Sequence, residues 1–142
     1  MLATIDFSIE LPVYPERVYR AWLDSGEHTK FTGQPAEIQE QEGGHFRALD
    51  GAVESRILTL SPHDRIRQTW DLAGIPISPG QAEIELVLEP TCSGTMLKLQ
   101  HSGLAPDQTH LLLAWWEETY LRPLLEYFEA LVGDYPADMG DG

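Results

Sequence analysis

From Thr4 to Leu11 apolar and polar residues alternate. Ile5, Phe7, Ile9 and Leu11 fall on one face and Asp6, Ser8 and Glu10 on the other, which predicts a half-buried strand. Pro12 and Pro15 end it, and Pro15 suits the first turn of a helix. Val18, Tyr19, Trp22 and Leu23 then have the spacing of a short amphipathic helix. Asp24-Ser25-Gly26 reads as a break, with a second helical turn over Glu27 to Phe31. Further strands are predicted over 35–39, 45–49, 53–60, 65–71, 81–89 and 95–102. Gly43-Gly44 marks a tight turn, and Asp50-Gly51 a two-residue hairpin whose positions both need positive φ. Residues 73–80, with two Gly and two Pro, read as a loop. In the 65–71 strand Ile66, Gln68 and Trp70 share a face; in the 95–102 strand Leu97, Leu99 and His101 do.

The pattern changes period after the Gly103 to Pro106 break. Over Asp107 to Val132 the stripe Leu112, Trp116, Tyr120, Leu124, Phe128, Leu131 predicts one long helix of about 39 Å. Pro123 lies inside it, where loss of a backbone N–H predicts a bend. Trp115 points about 100° away from Trp116, so it packs against a second chain, as in a homodimer, or under the 73–80 loop. The order of elements predicts an α+β fold: a curved antiparallel sheet of about six to seven strands, two short helices after the first strand, and a long C-terminal helix covering a cavity. Residues 1–133 form a single domain on this reading, and 134–142 an acidic flexible tail.

Composition narrows the function classes. The chain carries 9 Lys and Arg against 23 Asp and Glu, a net charge of −14. That excludes phosphate-backbone binding as an expectation, so no nucleic-acid partner is predicted. It disfavours an anionic membrane surface, and no apolar run reaches the ~20 residues of a membrane span. Cys92 is the single cysteine, so no intrachain disulfide forms. With no signal-peptide pattern at the start, the expected location is cytoplasmic. Glu37, Glu40 and Glu42 lie close together and could form an acidic docking face for a basic partner; the plainer reading of such charge is solubility.

Several segments together resemble the activator of heat-shock-protein-90 ATPase homologue family within the START-like, helix-grip superfamily (START/Bet v-like). They are Pro15-Glu16-Arg17-Val18-Tyr19-Arg20-Ala21-Trp22, Phe31-Thr32-Gly33, Glu42-Gly43-Gly44-His45-Phe46-Arg47 with Asp50-Gly51, Arg65-Ile66-Arg67-Gln68-Thr69-Trp70, and Gly103 with Trp116, Tyr120, Leu121 and Phe128. The resemblance runs from about Ile5 to Phe128 and implies a helix-grip fold with a cavity between sheet and helix. It brings no fixed catalytic set. The chain is too short to hold the separate amino-terminal domain with which the eukaryotic co-chaperone engages its chaperone, so it resembles the stand-alone members.

Candidate ligand-binding residues are those the pattern aims inward: Phe46, Gln68, Trp70, Leu97, Leu99, His101, Leu112, Trp116 and Tyr120. Aromatics offer large apolar contact areas, although the same residues would equally fill an ordinary core. His101 could orient a carbonyl or hydroxyl, or act as an acid or base; a hydrogen-bonded structural role is the plainer reading. Gln68 is a second inward polar group. Arg56 could pair with a ligand carboxylate or lie on the solvent face. No metal site is expected, because the five histidines show neither i,i+4 pairing nor a cysteine at ligand spacing. No cofactor and no catalytic residue is predicted. The leading expectation is a protein that binds a small apolar or amphipathic ligand in the cavity. The alternatives are a cyclase- or dehydratase-type enzyme using that cavity, and a chaperone cofactor or other protein-interaction module.

Overall fold

Alternation along the strands is realised as a single antiparallel sheet. The computed structural model describes the backbone of residues 2–141 and the side chains of residues 2–133, so the acidic tail expected over 134–142 lies outside the described side chains. The strands are β1 (Ala3–Leu11), β2 (Glu37–Ile38), β3 (His45–Ala48), β4 (Val53–Ser61), β5 (Arg65–Thr69), β6 (Asp71–Leu72), β7 (Glu83–Thr91) and β8 (Gly94–Leu104). They run in the order β1-β8-β7-β5-β4-β3-β2, with β6 pairing to β4, one strand more than the upper expectation. The extra strand arises because the expected 65–71 strand is broken at Trp70. Trp70 N–H donates to the carbonyl of Ala82 at 2.9 Å, and Asp71–Leu72 pairs instead with Glu54 and Val53.

The register lines up one inward row across the sheet. Ile5 pairs with His101, His101 with Ile84, Ile84 with Gln68, and Gln68 with Ile57. All five are buried. The two polar members therefore stand on the same face, separated by one apolar strand position. Opposite charges face outward on the other side, as in Arg67–Glu83 and Lys98–Glu89.

Between β1 and β2 lie α1 (Pro15–Leu23), with Pro15 at its first turn, and α2 (Ser25–Thr32). The expected break at Asp24-Ser25-Gly26 is corrected here. Asp24 ends α1 and caps α2, its carboxylate accepting from Glu27 N–H at 2.9 Å, so Ser25 and Gly26 are already helical. Gly33, with φ +79°, closes α2 in the left-handed conformation that glycine adopts without penalty. The expected two-residue hairpin at Asp50-Gly51 is also corrected. Ala48 pairs with Val53, leaving a four-residue connection in which Leu49, Asp50 and Gly51 all have positive φ. Leu49 is buried there, and that burial offsets the strain of a left-handed non-glycine residue.

The covering helix is two helices joined by a wider turn: α3 (Thr109–Trp116), a π-helical turn Glu117–Leu121, and α4 (Arg122–Asp141). The π turn ends two residues before Pro123, whose ring would collide with the carbonyl four residues back in a regular α-helix. It also explains the stripe. At about 100° per residue, the four i,i+4 steps from Leu112 to Phe128 would drift roughly 160° around a regular α-helix. One inserted residue cuts that drift to roughly 60°. Leu112, Trp116, Tyr120, Leu124 and Phe128 consequently all stay buried, whereas Leu131, expected on the stripe, is 40% exposed.

Candidate functional site

The sheet face, α1, α2 and the covering helices converge on a block of stacked rings. Trp22, the last large residue of α1, is its hub. Trp22 stacks on Trp70 (6.2 Å between centroids, 27°), and Trp70 stacks in turn on Trp116 (5.0 Å, 29°). Phe46 packs against both Trp22 (6.0 Å, 28°) and Trp70 (6.0 Å, 51°), and Tyr120 closes the cluster 5.2 Å from both Trp22 and Trp116. All nine expected lining residues are buried, none more than 2% exposed. Phe46, Trp70, Trp116, Tyr120 and His101 are brought together directly. Gln68 joins them through Trp22. Leu97 and Leu99 occupy the same sheet face on β8, and Leu112 the buried side of α3.

These residues pack on one another. The larger pockets formed by the described residues open instead on the outer surface; one of about 410 Å³ is bounded by Asp6, Phe7, Ser8, Glu85, Val87, Lys98, Leu99 and Gln100. Arg56 lies on the solvent side, its guanidinium donating to Gly43 O at 2.8 Å. Trp115 is half-buried and packs at the rim, 6.3 Å from Trp70 and 5.8 Å from Tyr120.

Inside the block, polar groups form two separate chains. In the first, Trp22 Nε1–H donates to Gln68 Oε1 at 3.0 Å, and Gln68 Nε2–H donates to Ser55 Oγ at 2.8 Å. Trp22 carbonyl accepts from His28 Nδ1–H at 2.8 Å, which leaves His28 Nε2 to accept from the Tyr120 hydroxyl at 2.9 Å. His28 was not among the expected residues. Its signal was its place three residues before Phe31 in α2, visible once Asp24 is recognised as a cap. In the second chain, Trp116 Nε1–H donates to His101 Nδ1 at 2.8 Å. The neutral ring then carries its proton on Nε2, and this N–H has no partner. Trp70 Nε1–H has none either. Burial holds both His28 and His101 at a pKa of about 4, so both are uncharged at neutral pH. Burial raises the Tyr120 hydroxyl well above the ordinary phenol value.

A third network fastens α4 from outside the block. Arg17 of α1 grips Glu27 of α2 through two nitrogens at 3.0 and 2.6 Å, and the Tyr127 hydroxyl of α4 donates to the same carboxylate at 2.7 Å. The Arg17 guanidinium also lies 5.7 Å from the Phe128 ring. Although partial burial opposes it, hydrogen bonding to Arg17 and Tyr127 leaves Glu27 below the usual carboxylate range. No group of three potential metal ligands stands together among the described residues, and none of their helices is long and apolar enough to cross a membrane.

Known proteins share this fold. An HSP90 activator from Plasmodium falciparum superposes with a TM-score of 0.75 at 18% identity, over 92% of this chain and 96% of that one. The Aha1 dimer from Colwellia psychrerythraea does so with a TM-score of 0.71 at 20% identity, over 91% and 96%. In sequence, the activator of 90 kDa heat shock protein ATPase homolog 1 from Mus musculus is 25% identical over 114 residues, which cover 80% of this chain and 33% of the relative. The chain thus spans about a third of the length of the curated relatives it matches. The sequence model of the family described as "Activator of Hsp90 ATPase homolog 1-like protein" matches residues 12–129, and the chain belongs to that family.

Proposed function

We propose that this protein binds a small apolar ligand between its sheet and its covering helices, displacing part of the ring stack it closes on when empty. The observation that supports this reading is the pair of unpartnered donors, Trp70 Nε1–H and His101 Nε2–H, on two rings that both contact Trp116, Trp70 on its face and His101 at its N–H edge. A buried donor without an acceptor costs about 1–3 kcal/mol. A core that only needed packing would avoid the unpartnered indole N–H by carrying Phe in place of Trp70. The π turn and the half-buried Trp115 form the adjacent wall, where a guest gains access with least disruption of regular helix. Native mass spectrometry of freshly purified protein, followed by thermal shift against flat apolar compounds and lipids, tests the reading. A copurifying mass or a shift of several degrees supports it; neither appearing refutes it.

A second reading is a protein-interaction module, including a chaperone cofactor. The family supports it, since structurally similar and sequence-related members are HSP90 activators. So does the surface. Burial raises the Tyr19 pKa, and the nearby exposed Glu40 and Glu42 raise it further; Leu111 and Leu113 of α3 are 60% and 44% exposed. Reversing the charge at Glu37, Glu40 and Glu42 weakens a salt-sensitive pull-down if this face docks a basic partner. Binding indifferent to salt and to these changes argues against it.

A further inference from the structure

We infer that two copies of this chain join edge to edge through β1, as an antiparallel strand pair centred on Phe7. The inference is independent of the binding reading above. The sheet has two open edges, β1 and β2. β2, with two residues, is too short to template another strand, whereas β1 has nine. β8 pairs with one side of β1. Toward the other side every second residue points its N–H and C=O, and among the described residues no loop or helix backbone takes them up. The inward row is open there too. Phe7 and Ile9 stay half-buried, while Leu99 and Leu97, their register partners on β8, are 1% exposed.

The sequence of β1 selects a second copy as the occupant. A strand that pairs with itself must match its own reversal, with opposed residues on one face. Centred on Phe7, Ala3 faces Leu11, Thr4 faces Glu10, Ile5 faces Ile9 and Asp6 faces Ser8 of the second copy. Apolar side chains meet apolar ones on the inward face, and on the outward face neither acid meets another. Moving the centre by one residue fails: about Asp6 the carboxylate faces its own copy, and about Ser8 it faces Glu10 at two symmetric places. The Phe7 register also pairs all nine strand residues. That gives about eight to ten backbone hydrogen bonds, close to the ~10 of a typical protein interface. The covering helices of both copies then lie on the same face of one continuous sheet. Each copy carries a net charge of −14, so added salt strengthens the pair.

Sedimentation velocity of the whole protein, at concentrations up to about 200 µM and in low and moderate salt, tests the inference. A concentration-dependent dimer that tightens with salt is expected. Ser8→Glu sets a carboxylate opposite Asp6 at two symmetric places and should weaken the dimer about fivefold. Adding Asp6→Lys turns both places into ion pairs and should restore the affinity at least to that of the wild type. Ser8→Glu with Glu16→Lys has the same net charge as that double variant, but Glu16 lies exposed on α1, so this control should stay weak. In a Cys92→Ser background, Phe7→Cys should form a disulfide-linked dimer on mild oxidation and Ser8→Cys should not, because only position 7 faces itself. Should Phe7→Cys fail to fold, the outward-facing charge series still decides. A protein that stays monomeric at every concentration, a dimer indifferent to Ser8→Glu, or equal recovery by Asp6→Lys and Glu16→Lys overturns the inference.

Discussion

Acid should destabilise this protein well above the pH at which carboxylates titrate, because two histidines are buried neutral. His28 and His101 have folded pKa values of about 4 against 6.5 for the free side chain. Their folded values are lowered, so the unfolded chain binds more protons between pH 6.5 and 4. Stability is therefore full above about pH 6.5 and falls as pH drops through that window. At pH 5.5 an unfolded histidine is almost fully protonated and a folded one hardly at all, which costs about 1 kcal/mol per residue. By pH 4 the cost approaches about 3 kcal/mol each. Two such residues would remove much of the ~5–15 kcal/mol available to a domain. Urea unfolding followed by tryptophan fluorescence at pH 7.5, 6.5, 5.5 and 4.5 measures the slope. His28→Gln or His101→Gln should lower stability at pH 7.5 yet remove about half of the loss between pH 7.5 and 5.5. A wild-type stability that is flat across this range, or variants that lose as much as wild type, would refute the neutral-histidine assignment.

Other perturbations probe the supporting structure. Glu27→Gln breaks the shared grip of Arg17 and Tyr127 on one carboxylate, and should cost about 1–3 kcal/mol in urea unfolding. Trp22→Phe strips Gln68 Oε1 of its donor and should cost about 1–3 kcal/mol beyond the packing change; adding Gln68→Leu should recover part of it, read as a coupling energy in a double-mutant cycle. Gly103→Ala should cost about 2 kcal/mol or more in melting experiments, because Gly103 has φ +74° and a methyl there would meet the Gln81 carbonyl.

Most of the fold was legible because alternation and helical spacing are strict where one face is buried. The rows Ile66-Gln68-Trp70 and Leu97-Leu99-His101 point inward as their periodicity required. What escaped was governed by single residues with two roles. Asp24 looks like a helix breaker and is a cap shared by two helices, which hid His28. Trp70 carries the strand's inward alternation but leaves its hydrogen-bond ladder, which created β6. The π turn was written in the sequence as a period of four maintained across Pro123, a spacing that a regular helix cannot keep on one face. The polar pairings inside the ring stack were not legible, since Trp22, Gln68 and Ser55 meet only through strand register and helix docking.

The four tryptophans give a direct view of the interior, because each indole N–H yields its own signal in a ¹H–¹⁵N correlation spectrum. Trp22 and Trp116 donate to Gln68 and His101, while Trp70 donates to nothing. On saturation with a compound that raises the melting temperature, the Trp70 indole proton should move downfield as it gains an acceptor. A Trp70 signal that stays in place at saturation, or perturbation confined to the rim residue Trp115, would contradict a binding site inside the sheet-and-helix grip.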